Sequence, residues 1–92
     1  MKLRVTETAF AELNDIAAYI AQDSPAAAKA VARRIEQVFD RIRDFPYLAP
    51  AVDPSGIRIF PVRPFPYLVF YSVEQDEIIV RNIRHGARQR PE

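Results

Sequence analysis

The stretch YLVFYSVEQDEIIVRNIR, residues 67–84, decides the fold. Two runs rich in β-branched and aromatic residues, 67–73 and 77–84, flank the polar turn Glu74, Gln75 and Asp76, a pattern that predicts an antiparallel hairpin. Strict alternation sets Tyr67, Val69, Tyr71 and Val73 against Leu68 and Phe70, and in the second run sets Ile79 and Ile83 against Ile78 and Val80. Both faces are therefore apolar. One layer of helix covers one face, and the other is left to long arginine and tyrosine side chains and a loop, or to a partner segment.

Moving upstream, residues 57–62 form a third strand-like run, separated from the hairpin by Pro64 and Pro66. A loop with Pro46, Pro50, Pro54 and Gly56 precedes it. Before the loop, Val31, Ile35, Val38, Phe39 and Ile42 lie on one stripe, and Phe10, Leu13, Ile16, Ala17 and Ile20 on another, which predicts two amphipathic helices. Ser24 followed by Pro25 is a strong start signal for the second helix, Pro46 stops it, and Thr6 or Thr8 can cap the first, which ends near Gln22. The joint at Asp23 and Ser24 is short enough to force an antiparallel helical hairpin. Residues 2–6 alternate as a short strand. The expected architecture is α+β in the order β-α-α-β-β-β, a single domain over 1–92 with the helices on one face of a three-stranded meander.

Composition limits the chemistry. The chain has 92 residues and a net charge of +1, so electrostatics must act through local clusters, and of 13 basic residues 11 are arginine. There is no cysteine and one histidine, which leaves no thiol chemistry and no expected metal site or cofactor. No stretch approaches the roughly 18 apolar residues of a membrane span, and the N-terminus has no signal-peptide pattern, so a cytoplasmic location is expected. Phosphate-binding glycine loops, HExxH and GxSxG are missing, and the acidic residues of the first helix and of the 74–77 turn read as solvated charge.

The remaining cluster is C-terminal: Arg81, Arg84, His85, Arg88 and Arg90. Alternation puts Arg81 and His85 on one face and Arg84 on the other, with Gly86 bending the chain. A proton-transfer role for His85 needs a second group, and Tyr67 and Tyr71 are poor bases at neutral pH. Three roles stay open on the residues alone: a structural histidine, a ribonuclease assembled from Arg58, Arg63, Arg81, Arg84, Arg88 and His85, or an arginine-rich edge presented to an acidic protein surface or a DNA-bound protein.

The run IRIFPVRPFPYLVFYSVEQDEIIVRNIRHGAR, residues 57–88, resembles the RelE/ParE toxin superfamily of type II toxin–antitoxin pairs: Arg63 before Tyr67 and Tyr71, an acidic turn, then Ile83, His85, Gly86 and Arg88. The opening TETAFAELNDIAAYIAQDSPAAAKAVARRI is similar to the first half of the same superfamily. The resemblance is to the ParE branch, because the RelE-type ribonuclease set needs lysines and a late tyrosine, and here no lysine follows Lys29 and no tyrosine follows Tyr71. It implies a non-enzymatic toxin that inhibits DNA gyrase and is neutralised by a ParD-like antitoxin whose C-terminal segment wraps it, with operator DNA reached only through the antitoxin. Arg63, Arg81, Arg84, His85, Arg88 and Arg90 would then meet the target, and Phe10, Leu13, Tyr19, Val38, Phe39, Tyr67 and Tyr71 the antitoxin. The alternatives are a ribosome-dependent messenger-RNA endoribonuclease using Arg81, Arg84 and His85, and a degenerate toxin that only binds its antitoxin as corepressor.

Overall fold

The computed structural model describes residues 1–89 and, of Arg88 and Gln89, the backbone only. Strand β1 (Lys2–Val5) leads into helices α1 (Glu7–Ala21) and α2 (Pro25–Asp44), followed by strands β2 (Arg58–Pro61), β3 (Tyr67–Glu74) and β4 (Glu77–His85), then a 3-10 turn, Gly86–Gln89. The helix starts follow their caps. Thr6 accepts from the Ala9 amide, so Thr6 rather than Thr8 caps α1, and Ser24 accepts from the Ala27 amide with Pro25 at the first position of α2.

The four strands form one sheet in the order β1-β4-β3-β2. Strands β2, β3 and β4 are the expected antiparallel meander, and β1 adds to its far side parallel to β4, Leu3 opposite Ile78 and Val5 opposite Val80. Ile35, Val38 and Ile42 of α2 and Ala9 of α1 form one fully buried core with Val62, Val69, Tyr71, Ile78, Val80 and Ile83.

Strict alternation fails in β4. Phe70 pairs with Asn82 but Tyr71 pairs with Val80, so Arg81 is the extra residue of a β-bulge. The bulge shifts the phase and brings Ile83 into the core beside Ile78 and Val80, correcting its expected grouping with Ile79. It also separates Arg81 from His85: Arg81 turns to Ser72 and Glu74, while His85 lies edge-on to Tyr67, their ring centroids 5.5 Å apart.

The face away from the helices is shielded mainly by arginines. The Arg84 guanidinium lies 5.7 Å from the Phe70 ring centroid, Arg81 lies across the buried Ser72, and Arg4 sits opposite the buried Ile79. The proline loop is tied to the core by the Tyr71 hydroxyl, which donates to Pro46 O at 2.9 Å, and by Arg58, which donates to Ala49 O at 2.6 Å. Phe45, Tyr47, Leu48 and Val52 of this loop remain exposed.

Candidate functional site

Strand β1 is shorter than β4, and the difference builds the site. The ladder between them ends at Val80, whose carbonyl accepts from the Thr6 amide at 3.1 Å, and the Thr6 hydroxyl then donates to Arg81 O at 3.2 Å. Beyond that point the amide edge of β4 has no strand beside it, and an unpaired amide there is costly unless another group accepts from it. Glu12, on the second turn of α1, supplies the acceptor. Its Oε1 receives the Ile83 amide at 2.9 Å and the Asn82 side-chain amide at 3.2 Å, while Oε2 lies 3.5 Å from Arg84 Nε.

A groove of about 490 Å³ opens between α1 and this end of β4. Glu12, Asp15 and Tyr19 form its helical wall, Ile16 and Ile83 add apolar surface, and Tyr67, Arg84 and His85 complete the strand side. The groove thus sets an acidic wall against one that bears the Arg84 guanidinium and the His85 ring. His85 Nδ1 accepts from the Ala87 amide at 3.2 Å, which in the neutral ring leaves Nε2 as the proton-bearing nitrogen. Among the described residues no carboxylate pairs with His85. The ring therefore presents a donor, whereas a general base needs a free lone pair.

The expected target residues divide by position. Arg84 and His85 share the groove. Arg63 is exposed in the β2–β3 turn at the same end of the sheet, where its carbonyl accepts from Arg34 Nε at 2.6 Å. Arg81 is elsewhere, bound to the Ser72 hydroxyl at 2.9 Å and in contact with the Glu74 carboxylate toward the hairpin tip. The proposed ribonuclease trio of Arg81, Arg84 and His85 is thus not gathered around one point. The Arg88 side chain and Arg90 lie outside the described residues. Gly86 has no positive φ; it sits in the closing 3-10 turn and donates its amide to Pro66 O at 2.7 Å, so the turn, not a special glycine conformation, redirects the chain.

Of the residues assigned to the antitoxin, Phe10 and Tyr19 are well exposed, at 58% and 66%. Tyr67, Leu13 and Phe39 are half-buried against the core. Val38 and Tyr71 are corrections, since both are completely buried and offer no surface to a partner. Burial raises the Tyr71 phenol above its ordinary range, against the opposing effect of Arg58. Glu12 and Asp15, expected from the sequence to be solvated charge, both line the groove. Their signal was positional: Glu12, Ile16 and Tyr19 follow one another at four- and three-residue steps beside the buried stripe of α1, so Glu12 flanks the core rather than pointing to bulk solvent.

Comparison with known proteins places this arrangement in a family. Residues 3–90 match the model described as the ParE toxin of the type II toxin–antitoxin system parDE. The chain belongs to the ParE toxin family. A curated relative from Sinorhizobium fredii, named "Putative toxin Y4kP", is 28% identical over 91 residues, covering 99% of this chain and 94% of that protein. The solved structure described as "Chromosomal ParDE TA system from P. aeruginosa" superposes with a TM-score of 0.79 at 22% identity, over 92% of this chain and 95% of the other, and shows that the two share a fold. The ParE-type layout of strand, helical hairpin and three-stranded meander is therefore the frame on which the Arg84–His85 groove is built.

Proposed function

We propose that this ParE-family toxin acts in the cytoplasm by binding DNA gyrase as a protein inhibitor, without a catalytic centre of its own, and that a ParD-like antitoxin neutralises it. The observation that carries the reading is the composition of the groove. Glu12 and Asp15 stand across from Arg84 and His85, so a nucleic-acid backbone entering it would meet carboxylates as well as cations. A protein surface bearing both signs and some apolar area fits such walls better. The engagement of His85 Nδ1 and the separation of Arg81 support a binding role over RNA cleavage.

Exposed Phe10 and Tyr19, with half-buried Tyr67, provide apolar area for an antitoxin segment that orders on binding, as the family membership implies. The direct test adds purified toxin to gyrase and relaxed plasmid. Loss of supercoiling, with linear plasmid released on denaturing the enzyme, supports the proposal; undiminished supercoiling at large molar excess, together with in-frame messenger-RNA cuts on the ribosome, would establish the ribonuclease instead.

A further inference from the structure

We infer that Glu12 is the positioning residue of the Arg84–His85 edge, and that it acts on the target through Arg84. This rests on the reading that this edge meets the target.

A carboxylate on α1 that served only to satisfy the open strand edge would need one oxygen. Glu12 uses Oε1 for that purpose, receiving both the Ile83 amide and the Asn82 side chain, and places Oε2 beside Arg84 Nε. Ile83 and Arg84 are consecutive, so one side chain holds the strand backbone and the adjacent guanidinium together. On its other side the guanidinium meets the Phe70 ring. A free arginine side chain loses rotamer entropy when a target immobilises it, and less is lost when the side chain is already held between a carboxylate and a ring. Glu12 is itself about a quarter exposed and Arg84 under half, so the pair is reachable from the groove. Oε2 is a charged acceptor beside Nε, so the ion pair fixes the side of the guanidinium that lies against α1. Glu12 therefore sets the position of the Arg84 guanidinium relative to the groove.

The test is a double-mutant cycle with Glu12→Gln and Arg84→Ala. Glutamine keeps an oxygen for the Ile83 amide but turns a donor toward Arg84 Nε. The expected result is a folded Glu12→Gln variant with a near-unchanged thermal midpoint and roughly tenfold lower potency, and no further loss when the substitution is added to Arg84→Ala. A purely structural Glu12 would give unchanged potency or an additive loss in the Arg84→Ala background, and either overturns the inference. Should Glu12→Gln fail to fold, Glu12→Asp, which keeps the charge but shortens the reach by a methylene, enters the same cycle with the same deciding outcomes. Potency is read both as gyrase inhibition and as growth arrest on induction. Growth arrest without gyrase inhibition removes the gyrase reading, and the cycle on growth arrest still decides Glu12. A chain that arrests no growth removes the Glu12 assignment as well.

Discussion

Glu74 carries its charge next to the tip of the β3–β4 hairpin, directly opposite Glu77, a like-charge pairing that would by itself oppose the turn. Two arginines relieve it: Arg81 pairs with Glu74, and Arg4 Nε lies 3.3 Å from Glu77. The hydrogen bonds from Arg81 and from the Ser72 hydroxyl hold the Glu74 carboxyl below its ordinary pKa. A folded-state pKa below the unfolded one gives stability that is present above the unfolded value, at about pH 4.3 for a glutamate, and is lost as the pH falls through the folded value. Urea midpoints measured from neutral to acid pH should therefore show the native chain losing ground to Glu74→Gln below about pH 5. A gap between the two that does not change with pH would contradict this. Residue by residue, the sequence was least informative where one side-chain type serves two ends: Val38 and Tyr71 have the same apolar character whether they face the core or a partner, and only packing shows that they are internal. Glu12 looked like ordinary solvated charge because the strand edge it closes lies about seventy positions further along the chain.

Among the elements, the hairpin turn is the place where local preference and fold disagree. Gln75 and Asp76 both adopt positive φ, 52° and 61°, as a two-residue turn matching the twist of β3 and β4 demands. Glycine at the second position and asparagine at the first suit that geometry, and glutamine does not. The double change Gln75→Asn with Asp76→Gly should raise stability by about 1 kcal/mol, seen as a higher urea midpoint at unchanged slope. No gain, or a loss, would show that the turn is held by more than its backbone geometry. Both helix starts and the hairpin were legible because their signals are local: Ser24 before Pro25, Thr6 before an apolar stripe, a polar turn between β-branched runs. The bulge at Arg81 was not, since no glycine or proline marks it. It arises from fitting β4 both to β3 and to the Thr6 cap, whose hydroxyl takes the Arg81 carbonyl. The parallel seat of β1 beside β4 is likewise a long-range choice with no local signature.

At the scale of the whole molecule, the fold presents one end of the sheet with Arg84, His85, Tyr67 and the Arg63 turn beside the acidic wall of α1, and keeps Arg81 in a separate network toward the other end. The helical hairpin is chiefly scaffold, with one stripe in the core and α1 forming one side of the groove. We propose that the cationic end of β4 and the segment after it inhibit gyrase by contact. This is tested most directly by replacing Arg84, His85 and Arg88 together with alanine and measuring gyrase supercoiling beside thermal unfolding. The prediction is a cooperatively folded variant that leaves supercoiling intact at concentrations where the native chain abolishes it; a folded variant that inhibits gyrase as strongly as the native chain would contradict the claim.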